Sequence, residues 1–158
     1  LFRSGINEVV AEFKTAMDAK NYDRMIMLSI PQSLLDHIMQ QAGIAETVTK
    51  EEFRKQLNAL FEQTLAQATI LDHTMDMTGV EKQTSATGRE YALVPSSVMM
   101  EIQGSRIRST NNYLALTEGG RWFLLNPSDA NSVESIKTIF PDLAGVPLNV
   151  PQMEMVSQ

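Results

Sequence analysis

The sequence predicts an α+β fold, a block of helices followed by an antiparallel sheet. Three observations carry the prediction. Apolar residues recur at helical spacing through the first 65 positions. Near Ala68 the period drops to two, the mark of strands. From there on, short runs of alternating residues are joined by turn signals, and strands joined by tight turns pair antiparallel.

Ile6, Val9, Val10, Phe13 and Met17 form one stripe and predict the first helix. "DAKNYD" interrupts it, and Asn21 or Asp23 can cap a short second helix through Met25, Ile26 and Leu28. Pro31 ends that helix, because its ring disfavours helical geometry in the residue before it. Ser33 opens a third, with Leu34, Leu35, Ile38 and Met39 on one side and Gly43 suited to a left-handed C-terminal position. "TKEE" at 49–52 is a capping box, and the helix it starts carries Phe53, Leu57, Leu60, Phe61 and Leu65.

In "TILDHTMDMTGV" the alternation sets Leu71, His73, Met75 and Met77 on one face and Asp72 and Asp76 on the other. "EKQTSATG" is a polar connection. "REYALVP" and "SVMMEIQG" read as two strands divided at Pro95-Ser96. "RIRSTNNYLALT" is a longer strand, turned by Glu118-Gly119-Gly120 into "RWFLLN", which holds the single Trp. Paired glycines supply the positive φ of a tight hairpin. Asn126-Pro127-Ser128-Asp129 stops the sheet, and Val133, Ile136, Ile139 and Phe140 mark a short last helix. The segment 141–158, with prolines at 141, 147 and 151, is expected to run extended over the surface.

The composition is that of a globular protein: 158 residues, 43% hydrophobic and 20% charged. Thirteen Lys and Arg are scattered among 19 Asp and Glu, for a net charge of -6, which argues against a nucleic-acid partner. There is no Cys, so disulfides, thiolate metal sites and Cys nucleophiles are excluded. No apolar run is long enough to span a bilayer as a helix. The chain opens on Leu1, and we expect a segment upstream to have been removed, such as a signal peptide of a periplasmic or secreted protein.

The helix pair in "FKTAMDAKNYDRMIML", a third helix, and a strand meander ending in "EGGRWFLLN" resemble the nuclear transport factor 2-like superfamily, over residues 5 to 126. The resemblance implies a cone: a strongly curved antiparallel sheet wrapped around a long helix, with an internal pocket. The cone-fold domain would occupy 1–140 and the Pro-containing tail 141–158. It also implies pairing into a homodimer through the sheet face. Members of the superfamily include isomerases, dehydratases, cyclases, ligand carriers and pure interaction domains, so the fold alone does not choose a function.

An enzyme on this scaffold needs an acid or base and a hydrogen-bond donor facing one apolar pocket. The candidates are His73, Glu101 and Tyr91, with Tyr22, Met75, Met100, Tyr113 and Trp122 as further pocket residues. His73 titrates near neutrality and shares a face with apolar neighbours. Glu101 sits among Met100 and Ile102, where burial without a partner would be costly. Arg106 and Arg108 alternate beside a turn and suit a carboxylate. Asp72 and Asp76 are about 13 Å apart along a strand, too far for a carboxylate dyad. Tyr113 and Trp122 are expected as cross-strand neighbours that stabilise the last hairpin. Two His at no ligand spacing point to no metal site, and no nucleotide loop or nucleophile motif calls for a cofactor. Ten Met, several as Met-x-Met, suit an adaptable interior better than a copper site. The leading expectation is a domain that binds a small apolar molecule or a protein partner. The rivals are a cofactor-free isomerase, dehydratase or cyclase using His73 or Glu101, and an interaction module whose cavity is filled by its own side chains.

Overall fold

A computed structural model describes residues 5–156. Four helices come first: α1 (Gly5–Asp18), α2 (Tyr22–Ser29), α3 (Gln32–Gln41) and α4 (Lys50–Leu65). Strands β1 (Thr69–Met75), β2 (Gln83–Thr84), β3 (Glu90–Ile102), β4 (Ser105–Glu118) and β5 (Arg121–Leu125) follow. Helix α5 (Ala130–Ile139), a 3₁₀ turn (Pro141–Leu143) and strand β6 (Gln152–Val156) complete the described chain. The fold is α+β, with a strongly curled antiparallel sheet in the shape of a half-barrel.

Local chemistry sets the helix ends. Asn21 caps α2 by accepting from the Arg24 N–H, and Thr49 caps α4 by accepting from the Glu52 N–H at 3.1 Å. Gly43, at φ +71°, leaves α3 in the left-handed region. Asp129 accepts from the Ser132 N–H at 2.7 Å and starts α5.

The sheet is built on the β3–β4 hairpin. β1 and the two-residue β2 pair with the far edge of β3, while β5 and β6 pair with the far edge of β4, one beyond the other. Pro95 does not divide β3 as the sequence suggests. Its carbonyl accepts from the Asp76 N–H, just past the end of β1. Carbonyl and nitrogen of one strand residue point to the same side, so the missing N–H of Pro95 falls where the neighbouring strand has run out.

A β-bulge lies between Ile70 and Asp72. Leu71 is the extra residue, 44% exposed, and it resets the alternation. Ile70, His73 and Met75 lie opposite Met100, Val98 and Ser96 on the inner face. The predicted grouping of Leu71 with His73 is therefore corrected: Ile70 takes that place.

The sheet has a core on each side. On the inner face Val9, Val10 and Phe13 of α1 pack with Leu28, Met75, Val94, Tyr113, Ala115 and Leu124. On the outer face Leu114, Leu116, Phe123 and Leu125 meet Ile136 and Phe140, then Leu143, Val146 and Leu148 of the tail. The tail thus departs from expectation. It supplies core residues and ends as a strand on β4, with Glu154 facing Arg108 at 3.4 Å. It also covers the outer face of the β4–β5 hairpin, the surface that the resemblance would offer to a second subunit.

Arg89 ties the two sides of that outer core. Its Nε lies 3.1 Å from Asp142, another guanidinium nitrogen donates to the Thr117 carbonyl, and its plane stands 4.5 Å above the Phe140 ring. Asp142 also accepts from the hydroxyls of Ser85, at 2.6 Å, and Thr87, at 2.9 Å. Burial pushes the Asp142 carboxyl up, but these hydroxyls and the guanidinium outweigh it and hold the carboxyl below its ordinary value.

Candidate functional site

Between the inner face of the sheet and the helices lies a cavity of about 730 Å³. Such a volume falls within the ~300–1,000 Å³ typical of small-molecule sites. β3 supplies Ser96, Val98 and Met100, which alternate with outer-face residues and so all point inward. β4 supplies Ser109, Asn111 and Tyr113 by the same parity. Met17 and Met25 come from α1 and α2, and Phe61 and Leu65 from the end of α4. Ile70, Phe61 and Met153 belong to the wall yet are 37%, 40% and 68% exposed, so the cavity opens at this end, and Asn126, Ser128, Asp129 and Asn131 are exposed wall residues at the α5 end.

A polar chain crosses the inner face. The Ser96 hydroxyl lies 3.4 Å from His73 Nε2 and is also hydrogen-bonded to the Tyr113 hydroxyl. Phe13 packs on both rings, its centroid 6.3 Å from that of His73 and 5.8 Å, edge-on, from that of Tyr113. Burial pushes the Tyr113 phenol up to about 12, against the weaker opposing effect of its bond to Ser96. His73 stands behind Ser96 and outside the cavity wall. Burial holds its imidazole below 6.5, the charge of Lys14 adds to that, and Asp18 and Asp72 act the other way. The folded state therefore resists protonation that the unfolded chain accepts. The stability due to this group is fully present above about pH 6.5 and falls as the pH drops toward the lower folded pKa. We expect the melting temperature to decline with acidification in that window, and the decline to shrink in His73→Gln. Equal slopes for the two proteins in a thermal melt series would contradict it.

Of the residues singled out from sequence, Met100 and Tyr113 line the cavity, and Met75 packs in the core next to it. The others are placed elsewhere. Glu101 lies on the outer face, where parity puts it opposite Arg106, 3.8 Å from its guanidinium. Tyr91 is also on the outer face, and its hydroxyl donates to Gln83 at 3.1 Å. Tyr22 is the first residue of α2 and is not in the wall. Trp122 pairs with Thr117, not Tyr113, and packs on Gly5 at the start of α1 so closely that a Cβ there would lie 2.3 Å from the indole. Arg106 and Arg108 face carboxylates of this chain, Glu101 and Glu154. Asp72 lies on the outer face, opposite Met99, and Asp76 accepts from the Thr78 N–H.

Ser96 and Asn111 were not anticipated. A serine between Val94 and Val98 at period two was the available signal, hidden by reading Pro95-Ser96 as a break. Asn111 donates from Nδ2 to Asn126 Oδ1 at 2.8 Å and to the Pro127 carbonyl at 3.3 Å, tying the start of the α5 connection to β4. Among the described residues no three His, Asp or Glu side chains gather into a metal-binding set, and no helix is long and apolar enough to cross a membrane. No protein-family model, curated protein or solved structure matches the chain.

Proposed function

We propose that the protein is a cone-fold carrier of the nuclear transport factor 2-like kind, which holds a small, largely apolar molecule between its sheet and its helices. The observation that carries this reading is the cavity of about 730 Å³ with four methionines, Met17, Met25, Met100 and Met153, in its wall. Methionine wraps irregular ligands at low strain. The open volume weighs against an interaction module with a filled interior. A periplasmic or secreted location belongs to the same proposal.

The test uses the neutral fluorescent probe N-phenyl-1-naphthylamine. Its emission should rise on mixing with the protein, and Val98→Trp, which fills the middle of the cavity, should weaken uptake by about tenfold or more, 1.4 kcal/mol per factor of ten. Unchanged circular dichroism would show the variant folded. No rise with the wild type, or equal uptake by a folded Val98→Trp, would refute the carrier reading. Native mass spectrometry of the same sample reads the number of subunits.

A second reading, a cofactor-free isomerase, dehydratase or cyclase, draws on the His73–Ser96–Tyr113 chain. In it Ser96, at the cavity wall, would pass a proton between substrate and the neutral imidazole. Glu101, on the other face of the sheet, has no part in it.

A further inference from the structure

The cavity wall also says which kind of apolar molecule it suits. This step rests on the carrier reading. Among the described residues the wall contains no Lys, Arg or His. Its polar groups are nearly all uncharged hydroxyls and amides, most of them on the sheet and α5, with Ser29 of α2 and Thr64 of α4 apart from these. Ser96, Asn111 and Tyr113 come from the sheet, and Asn131, Ser132 and Ser135 from the first turns of α5. The two hydrogen bonds from Asn111 to Asn126 and Pro127 hold these two groups against each other as one patch. The opening by β1 and β6 is mostly apolar, with Phe61, Leu65, Ile70, Met100 and Met153, and Thr64 and Ser109 add two hydroxyls there.

Among the described wall residues one carries a formal charge, the solvent-exposed Asp129. Asp129 caps α5, and its bond from the Ser132 backbone keeps its carboxyl below the ordinary value, so it is ionised at neutral pH. The positive end of the α5 dipole is therefore already occupied by an anion. A ligand carboxylate or phosphate would leave water for a wall without a cation among its described residues, a cost that the exposed, solvent-screened Asp129 neither relieves nor much increases. An uncharged head that both donates and accepts hydrogen bonds avoids that cost. The serine hydroxyls and the Tyr113 phenol can each donate or accept. The patch also has an acceptor to spare, since Asn111 Oδ1 is buried and receives no hydrogen bond from any described group.

We infer that the ligand is a neutral amphiphile: an alkyl or similarly apolar body near the opening, and an uncharged hydroxyl- or amide-bearing head against the Ser96–Asn111–α5 patch. Fatty alcohols and monoacylglycerols belong to this class. Ionised fatty acids do not.

The experiment displaces bound N-phenyl-1-naphthylamine with three ligands that share one chain: 1-dodecanol, dodecanoate and dodecyltrimethylammonium. At about pH 8 the carboxyl is fully ionised. Dodecanol is expected to displace the probe at a concentration roughly tenfold or more below that of dodecanoate, or 1.4 kcal/mol and upward. Dodecanoate or the ammonium amphiphile matching or beating dodecanol would overturn the head-group inference and leave the cavity reading standing. Failure of the wild type to take up the probe at all would overturn the carrier reading, a separate outcome.

Discussion

Arg89→Ala is expected to destabilise the fold by about 3 kcal/mol, within the range for removing one partner of a buried ion pair. The Arg89 side chain is 22% exposed and that of Asp142 only 5%. Removing the guanidinium leaves Asp142 with two hydroxyl donors and no counter-charge. It also leaves the Thr117 carbonyl without its donor and Phe140 without the cation above it. Arg89→Lys should recover only part of the loss, because an ammonium cannot serve the carboxylate, the carbonyl and the ring at once. Urea unfolding reads both variants, and a loss under about 1 kcal/mol for Arg89→Ala would reduce the contact to an ordinary surface pair.

Leu116→Ala is expected to lower stability by about 2–5 kcal/mol, the range for truncating a fully buried leucine. Leu116 has no exposed surface and lies between Tyr91 and Phe123 in register, on the outer side of the sheet. Leu116 is not in the cavity wall, although its core neighbours Leu125 and Ile136 reach it. The variant should therefore melt earlier and still bind N-phenyl-1-naphthylamine with the wild-type affinity below its melting temperature. Loss of probe binding in a folded Leu116→Ala would mean that the two sides of the sheet do not behave as separate cores.

The parts of this fold that were legible from sequence have local causes. Asn21 and Thr49 announce helix starts through bonds that span three residues, and Gly119 and Gly120, at φ +59° and +77°, announce a turn. The less legible parts depend on distant chain. Ile70 and Leu71 are alike in size and polarity, so which one a bulge expels is decided by the pairing with β3. Pro95 looks like a break until the end of β1 shows that no donor is needed there. "QMEMV" alternates as a strand should, but the partner that makes it one is β4, across β5 and α5. The candidate site suffered most from parity. Glu101 and Met100 are neighbours in sequence and lie on opposite faces, so choosing an apolar context around a charged residue did not choose a pocket. Trp122 drew attention by its size, yet what it meets is the backbone of Gly5.

The position of β6 has a consequence for the order of assembly. The β3–β4 hairpin closes over a short turn, whereas joining β6 to β4 closes a loop that contains β5, α5 and the 3₁₀ turn. Loop-closure entropy favours the hairpin early and leaves the β4–β6 contact to a late stage. On a ribosome, α1 through β5 emerge before β6 and can assemble without it. During that interval the basin lined by Ile70 and Met100 lacks Met153 along one side, and the lower half of β4 is an open edge ready to pair with any extended chain nearby. Docking of five residues then closes the basin and ends the exposure of a nascent chain to aggregation.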